Sequence, residues 1–165
     1  MLQITQDIVE FIDRALVEDL AAQDPTTATL IPPGQQGQAV FKAKALGVLA
    51  GIGLAQTVFA RVEASLKTEV LLQDGALLSP GDHIARIRGP VSGILRGERT
   101  ALNFLQRMSG IATSTARYVQ AVRGLPVQIV DTRKTAPGHR YLDKYAVRMG
   151  GGHNHRLNLA DGILI

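Results

Sequence analysis

The order of apolar patterns after residue 125 constrains the fold of this chain more than any other feature. A short apolar run at 127–130 is typical of a buried strand, and residues 138–148 have the spacing of a helix. A second apolar run begins at 162–165. Strand, helix and strand form a βα repeat, and in parallel α/β folds ligand-binding residues gather at the carboxyl ends of strands. The segment 131–135 follows the first strand and therefore lies at such an end.

Two cationic segments flank the predicted helix. The first reads Asp-Thr-Arg-Lys-Thr at 131–135, and the second reads Gly-Gly-Gly-His-Asn-His-Arg at 150–156. Cations converge on a multiply charged anion only when separate segments support them, because positive groups on one flexible loop repel each other. The three glycines exceed what a helix C-cap requires, and they allow the backbone to approach a ligand closely. This arrangement predicts a site for a polyanionic small molecule.

Positive charge is concentrated in the C-terminal half. Between Arg86 and Arg156 there are 13 Lys and Arg residues against three acidic ones, whereas residues 1–85 carry five basic and ten acidic side chains. A basic surface of this kind commonly meets phosphate, either on nucleic acid or on a small metabolite. Aromatic residues make up 4% of the chain and do not interleave with the basic positions as a base-stacking platform requires. We therefore expect a metabolite and no nucleic-acid partner.

Composition argues against several other classes of site. The chain has no cysteine, which excludes disulfides, thiolate catalysis and thiolate zinc sites. His153 and His155 are two residues apart, but no third ligand has a matching spacing, so no metal site is expected within the chain. No apolar run reaches the roughly 18 residues of a membrane span, and the N-terminus does not have the pattern of a signal peptide. We expect a soluble, cytoplasmic protein without membrane contact.

The N-terminal part combines an amphipathic helix with short strands. Residues 5–22 have helical spacing, and the Asp-Pro-Thr-Thr stretch at 24–27 is predicted to be a turn. Tight turns at 74–75 and 79–82 separate β-rich stretches, and helical spacing at 54–63 interrupts them. The β-rich stretches are 38–45, 66–72 and 83–88. This pattern favours a small sandwich or barrel.

A long helix joins this part to the C-terminal segments. Helical spacing begins at Gly97 and continues for about 26 residues, with Glu98 and Arg99 in the predicted first turn. Glu98 suits the helix dipole there, whereas a cation at Arg99 opposes it. The Ser-Gly pair at 109–110 predicts a kink or a split, and Gly-Leu-Pro at 124–126 ends the helix.

Four blocks of the sequence match, in order and spacing, the motifs of one enzyme family. They read GERTALN at 97–103, MSGIAT at 108–113, DTRKTAPG at 131–138 and KYAVRMGGGHNHR at 144–156. The blocks resemble those of quinolinate phosphoribosyltransferase, also called carboxylating nicotinate-nucleotide pyrophosphorylase. The likeness extends to residues 18–19 and 24–27, so it covers essentially the whole chain.

The resemblance implies a mixed α/β fold in two domains. Residues 1–108 correspond to an N-terminal α/β sandwich (barrel-sandwich-like) domain with a linker helix, and residues 109–165 to the start of an open phosphoribosyltransferase α/β barrel. The family continues past Ile165 with a pocket lysine, most of the barrel, and acidic residues that serve the ribose and magnesium. We therefore expect an incomplete barrel. The family works as a homodimer or a higher oligomer whose sites combine both subunits.

The resemblance also implies an activity. The family transfers the phosphoribosyl group of phosphoribosyl pyrophosphate to quinolinate with decarboxylation, giving nicotinate mononucleotide, pyrophosphate and CO2 in de novo NAD biosynthesis. It is a glycosyltransferase of the pentosyl type. Mg2+ accompanies phosphoribosyl pyrophosphate, and its protein ligands are expected beyond residue 165. No protein nucleophile is expected, because the ring nitrogen of quinolinate attacks the sugar.

The implied substrate contacts fall on both cationic segments and on the long helix. The residues that hold the quinolinate carboxylates by resemblance are Arg133, His155 and Arg156. Lys134 and Thr132 would line the phosphoribosyl pyrophosphate side. Arg99 would reach into the site of the partner subunit, and Asn154 is a weaker candidate behind these contacts.

Other functions stay open on the residues alone. A paralogue from a molybdenum operon would share the fold and the phosphoribosyl chemistry, and a non-catalytic fragment is a further alternative. The turn at 79–82 with its flanking strands resembles a lipoyl-like carrier module, but it lacks the lysine hairpin tip that carries the cofactor. The basic half alone would also fit a nucleic-acid-binding domain. The cationic cluster of Arg133, His155 and Arg156 favours a dicarboxylate, and hence the enzyme.

Overall fold

The computed structural model describes residues 2–19 and 21–162. Within these ranges the helices are α1 (Gln6–Glu18), α2 (Pro25–Leu30), α3 (Ile52–Val62), α4 (Val91–Ala121) and α5 (Arg140–Met149), with a 3-10 turn at Ala21–Gln23. The strands are β1 (Gln36–Lys42), β2 (Gly47–Val48), β3 (Lys67–Val70), β4 (Leu77–Leu78) and β5 (His83–Pro90). This mixture of sheets and helices confirms the predicted α/β class.

Strand β5 is the centre of a three-stranded antiparallel sheet and lies between β1 and β3. Ile87 of β5 pairs with Ala39 of β1 on one side and with Thr68 of β3 on the other. Ile84, Ala85 and Ile87 are buried, so this strand supplies the sheet's side of the core. A second antiparallel sheet pairs β2 with β4. The predicted strands exist, although the bounds of β1 and β3 are shifted by a few residues.

Helices α3 and α4 pack together and carry much of the hydrophobic core. Phe59 of α3 is 1% exposed, and Met108 of α4 is fully buried. A Cβ atom at Gly97 would lie 2.9 Å from Cδ1 of Phe59, so glycine lets the two helices approach closely. α4 also satisfies the backbone of β2, because the N–H of Val48 donates to Oγ1 of Thr113 at 2.9 Å. α4 therefore joins the helices to the small sheet.

The long helix α4 corrects two predictions. It begins at Val91, directly after Pro90, and not at Gly97. It then runs to Ala121 as one helix, so the split predicted as one alternative at 109–110 is wrong. The buried face of the helix is continuous over this length, and packing that face on one core outweighs the cost of about 1 kcal/mol for an interior glycine.

The chain between α1 and β1 also differs from the prediction. α1 ends at Glu18, so the helix is shorter than the predicted 5–22. Residues 24–27 are not a free turn, since they begin α2 with Asp24 at the N-cap and a proline in the first turn. Oδ1 of Asp24 accepts the N–H of Thr26 at 3.0 Å. Asp and Pro favour both turns and helix starts, so composition alone does not separate the two.

The apolar run at 127–130 is not the buried strand that the sequence predicts. Val127 and Val130 are 54% and 50% exposed. The run makes one parallel bridge, between Val130 and His153, in which the N–H of His153 donates to the carbonyl oxygen of Ile129 at 2.9 Å. A buried parallel strand needs neighbours on both edges and cover on both faces. Within the described residues, the run has a strand-like partner on one edge only.

Three further predictions concern the C-terminal part. α5 agrees closely with the helix predicted at 138–148, which is confirmed. The strand predicted at 162–165 lies, apart from Gly162, outside the described residues. The domain boundary predicted between residues 108 and 109 falls inside α4 and stays a prediction. Of the helices in the described ranges, none is long and apolar enough to cross a membrane.

Candidate active site

Helix α5 lies between the two cationic segments and packs against α4. A Cβ atom at Gly150 would lie 2.2 Å from the carbonyl oxygen of Ala112, and one at Gly152 would lie 2.8 Å from Cγ2 of Thr115. Gly151 has φ +84°, in the left-handed region that commonly ends a helix. The three glycines therefore serve helix packing and helix termination. These contacts account for them without the close approach of a ligand that the sequence suggested.

A buried ion pair joins the segment 131–135 to α5. Nζ of Lys144 lies 2.5 Å from Oδ1 of Asp131, and the two side chains are only 4% and 6% exposed. Removing one partner of such a pair leaves a buried charge uncompensated, which costs about 3–5 kcal/mol. The start of this segment is therefore held firmly to the helix.

The same carboxylate holds the segment 150–156. Oδ1 of Asp131 also accepts the N–H of His155 at 2.8 Å, and Oδ2 accepts a hydrogen bond from Nδ2 of Asn154 at 2.5 Å. Lys144 donates a second hydrogen bond, to the carbonyl oxygen of His155, at 3.1 Å. Asp131 and Lys144 thus bring the two cationic segments together, and Asn154 takes part in this junction.

Arg140, the first residue of α5, adds a further bridge. Its Nε donates to Oγ1 of Thr135 at 3.3 Å, and its Nη1 donates to the carbonyl oxygen of Leu157 at 3.4 Å. Sequence reasoning assigned no role to Asp131, Lys144 or Arg140. No sequence signal marked Lys144, because its burial within α5 is visible only in the structure. A buried lysine needs a carboxylate partner, and Asp131 is the acidic residue of the neighbouring segment.

The segment 131–135 presents the first group of predicted ligand contacts. Arg133 is half-buried, and its Nε is buried without a hydrogen-bond partner among the described residues. A buried guanidinium N–H without an acceptor is unusual, because buried polar groups are normally hydrogen-bonded. Lys134 is exposed, and its backbone N–H donates to Oγ1 of Thr132 at 3.0 Å. The Thr132 hydroxyl therefore shapes the turn that presents Lys134.

His155 and Arg156 form the second group. Nδ1 of His155 accepts the backbone N–H of Arg156 at 2.7 Å. Since Nδ1 is the acceptor, the neutral imidazole carries its proton on Nε2, which is the ring atom left to donate to a ligand. Arg156 is half-buried, and His155 is exposed. The backbone thus selects the tautomer of His155 before any ligand binds.

Arg99 lies away from this junction, on α4. Its side chain is exposed and makes no hydrogen bond or ion pair with any other described residue. Because α4 begins at Val91, Arg99 is not in the first turn, and the proposed conflict with the helix dipole was wrong. Asp131 joins the segment of Thr132 and Lys134 to that of His155, whereas no side-chain hydrogen bond or ion pair joins Arg99 to either segment within the described chain. The predicted role of Arg99 in a partner's site stays a prediction.

The junction leaves positive charge for a ligand. Lys144 is neutralised by Asp131, whereas Arg133, Lys134 and Arg156 take part in no ion pair among residues 2–19 and 21–162. Such a surface attracts a ligand with several negative charges. In the same ranges there is no group of three or more His, Cys, Asp or Glu side chains that could hold a metal ion.

Two family models match the chain. The model described as "Quinolinate phosphoribosyl transferase, N-terminal domain" matches residues 24–109, and the model of the C-terminal domain matches residues 111–165. These are the two domains that the sequence blocks predict, in the predicted order. The resemblance of the motifs is thereby confirmed.

Similar curated proteins carry names that agree with these models. The chain is 44% identical over 162 residues to the mitochondrial quinolinate phosphoribosyltransferase (decarboxylating) 2b of Nicotiana tabacum, covering 98% of this chain and 46% of that protein. It is 40% identical over 157 residues to the probable nicotinate-nucleotide pyrophosphorylase (carboxylating) of Bacillus subtilis, covering 94% of this chain and 54% of that protein. The chain spans about half the length of the curated relatives that it matches.

Solved structures share the fold. NadC from Streptococcus pyogenes superposes with a TM-score of 0.91 at 42% identity, covering 94% of this chain and 56% of that one. The nicotinate-nucleotide pyrophosphorylase of Francisella tularensis superposes with a TM-score of 0.92 at 35% identity, covering 99% of this chain and 59% of that one. Because its sequence matches both domain models and its fold matches these solved relatives, the chain belongs to the quinolinate phosphoribosyl transferase family.

Proposed function

We propose that this protein transfers the phosphoribosyl group of phosphoribosyl pyrophosphate to quinolinate with decarboxylation, giving nicotinate mononucleotide, pyrophosphate and CO2. It would be a pentosyltransferase of NAD biosynthesis, a reaction class that the names of the relatives carry. The observation that supports this most is the junction at Asp131. It joins two segments whose cations have no acidic partner among the described residues.

The residue types of the junction suit the two substrates. Quinolinate carries two carboxylates, and phosphoribosyl pyrophosphate carries several phosphate charges, so bringing them together away from water requires cations on more than one side. The proposed carboxylate contacts are Arg133, His155 and Arg156. Arginine suits a carboxylate through its planar fork of donors, and the Nε2–H of His155 adds one more donor. Lys134 suits a phosphate as a point charge, with Thr132 beside it.

The proposed reaction needs no protein nucleophile. The ring nitrogen of quinolinate attacks the anomeric carbon as pyrophosphate leaves, so the protein must align the two substrates and neutralise charge. Loss of CO2 then leaves an electron pair on the ring carbon beside a cationic ring nitrogen, which stabilises it, and the carbon takes up a proton from water to give nicotinate mononucleotide. Throughout these steps the arginines hold the ring without being consumed.

The proposal extends to a metal and to a partner subunit. Mg2+ is proposed to arrive with the diphosphate of phosphoribosyl pyrophosphate. Among the described residues no group of His, Cys, Asp or Glu side chains could hold this ion. Arg99 is exposed on α4 and is proposed to complete the site of a second copy of the chain. A cytoplasmic location is proposed, although the names of plant relatives place those proteins in mitochondria or chloroplasts.

Ligand-induced stabilisation tests the proposed substrate. Quinolinate should raise the thermal unfolding midpoint of the chain, because a ligand that binds only the folded state stabilises it by mass action. Nicotinate, which lacks the second carboxylate, should raise it less. Arg133→Ala should abolish the quinolinate shift, and Arg117→Ala, which removes an exposed arginine of α4 outside the junction, should retain it.

The outcome that contradicts the proposal is equally direct. A chain that is stabilised equally by quinolinate and nicotinate has no dicarboxylate site. Salt-dependent binding to an oligonucleotide would instead favour a nucleic-acid-binding domain, if neither quinolinate nor nicotinate changes the unfolding midpoint.

A further inference from the structure

We infer that the buried pair of Lys144 and Asp131 is a positioning device that sets the segment of His155 and Arg156 against the loop of Arg133. This inference rests on the proposed function, because it assigns the pair to the quinolinate end of that site. Neither residue touches the ligand in this scheme. Both act on the backbone of a residue that does.

The hydrogen bonds around His155 carry the argument. Its N–H donates to Oδ1 of Asp131 at 2.8 Å, and its carbonyl oxygen accepts from Nζ of Lys144 at 3.1 Å. The pair therefore holds both polar groups of this one residue, and Lys144 and Asp131 are themselves bonded at 2.5 Å. These three hydrogen bonds form a closed ring through Asp131, Lys144 and the backbone of His155. That backbone therefore has little freedom to shift relative to Arg133, which follows Asp131 by two residues.

The same contacts indicate that Lys144 positions the backbone of His155 and does not itself bind an anion. Two donors of Lys144 are already used, and its side chain is 4% exposed, so this cation is poorly placed to meet a ligand. Its charge is balanced by Asp131, so the pair adds little net field at the site. A purely stabilising role explains the pair poorly, because apolar residues of similar volume often replace a buried ion pair with no loss of stability. An apolar replacement could not supply these directional hydrogen bonds to the backbone of a single residue.

A neighbouring pair on the same helix is a matched control. Asp143 of α5 is also buried, and it accepts two hydrogen bonds from Arg107 of α4, at 3.0 Å and 2.8 Å. This pair joins α5 to α4 and makes no recorded hydrogen bond to the segments 131–135 or 153–156. Breaking it should therefore loosen the helix without releasing His155.

The experiment compares Lys144→Met with Asp143→Asn in the full 165-residue chain. Quinolinate affinity is measured by calorimetry, and exchange of the His155 amide proton is measured by NMR. Lys144→Met should weaken quinolinate binding by about tenfold or more, because a displaced His155 or Arg156 loses a hydrogen bond to a charged carboxylate, which is worth about that factor. It should also speed exchange of the His155 amide. Asp143→Asn should lower the unfolding midpoint but keep quinolinate affinity within about twofold of wild type, since its contacts are separate.

Each result decides one point. The inference is overturned if Lys144→Met binds quinolinate as wild type does, or if Asp143→Asn weakens binding as much. If the wild-type chain binds no quinolinate, the proposed function is refuted, and amide exchange alone then tests the positioning role. Unchanged exchange of the His155 amide in Lys144→Met overturns the inference. Faster exchange in Lys144→Met, but not in Asp143→Asn, supports it. If Lys144→Met does not fold, Asn154→Ala removes one donor to Asp131 and should give a smaller change in the same direction, whereas no change overturns the inference.

Discussion

The part of the chain before residue 122 and the part after it are held together by different forces. In the first, Ile12, Leu54 and Ile87 are fully buried and the strands are paired in register. In the second, Val127 and Val130 are half exposed, and order comes from charged and polar contacts around one carboxylate. The first part is therefore stabilised by apolar packing, and the second by directional contacts between charged and polar groups.

Helix α5 lies in the second part and connects it to the first. Tyr145 is 2% exposed, and its hydroxyl donates to Oδ2 of Asp74 at 2.7 Å, while Oδ1 of Asp74 accepts the N–H of Ile52. Burial, together with this hydrogen bond, raises the pKa of the Tyr145 hydroxyl above its ordinary value, so it stays a donor. Lys144, the preceding residue, holds the cationic segments through Asp131 and the backbone of His155. The site is thus fixed to the apolar core through a single helix.

The largest expected effect tests the apolar side of this comparison. Phe59→Ala should lower the free energy of unfolding by about 3–5 kcal/mol, because it removes a large buried ring and leaves a cavity. The ring lies 5.8 Å from that of Phe41, centre to centre, and fills the space beside Gly97. Urea unfolding measures the loss. Tyr118→Ala, at a residue that is 66% exposed, should stay within about 0.5 kcal/mol of wild type. If both variants lost a similar free energy of unfolding, burial at α3 would not be what stabilises this part.

The first part was also the more predictable from sequence, for a physical reason. Helix α3 was predicted from helical spacing at 54–63, because it buries one face and its apolar residues therefore repeat with the period of a helix. The same reason made α5, in the second part, predictable at 138–148. The start of α4 was missed, since Gly93 and Gly97 interrupt its apolar pattern. Those glycines are explained by close neighbours, Glu63 and Phe59, which only the packed structure reveals.

In the second part, the types of residue at the candidate site were predictable from the sequence, but the contacts that hold its segments together were not. The cationic segments were recognised from their composition and their likeness to a family. The run at 127–130 was taken for a buried strand, but strand formation depends on partners that a local pattern does not contain. The bond between Asp131 and Lys144 spans 13 residues, and no periodicity records which buried charges will pair. Whether the predicted contact residues bind substrate stays a prediction.

An intermediate effect is expected where α5 meets α4. Gly150→Ala would place a Cβ atom 2.2 Å from the carbonyl oxygen of Ala112, so the helices must separate, at a cost of about 1–3 kcal/mol. Gly110→Ala is the matched control, because a Cβ atom there meets nothing within 4 Å, and alanine in a helix interior should stabilise by about 0.5–1 kcal/mol. Thermal and urea unfolding would show opposite signs for the two variants. Equal and small changes would mean that close packing at α5 does not join the two parts.

The smallest expected effect concerns pH, at the contact between α1 and the turn before α5. The ring of His139 lies 4.9 Å from that of Phe11, and its Nδ1 is buried without a hydrogen-bond partner among the described residues. Burial, and then the nearby charge of Arg107, lowers the pKa of His139 below its ordinary value of 6.5, while Asp143 opposes the shift. The folded state therefore favours the neutral ring, and protonation on acidification favours unfolding.

The sign of the pH dependence follows from this shift. A histidine whose pKa is depressed by folding contributes stability that is complete above its unfolded pKa, near 6.5, and that is lost as pH falls through its folded pKa. The free energy of urea unfolding should therefore decrease between about pH 7 and about pH 5, and His139→Gln should flatten that slope. His83→Gln, at an exposed position on β5, should keep the wild-type slope. If His139→Gln and wild type lose stability in parallel, the contact with Phe11 does not respond to pH, and the two parts of the chain are joined by the Tyr145 and Gly150 contacts without help from this histidine.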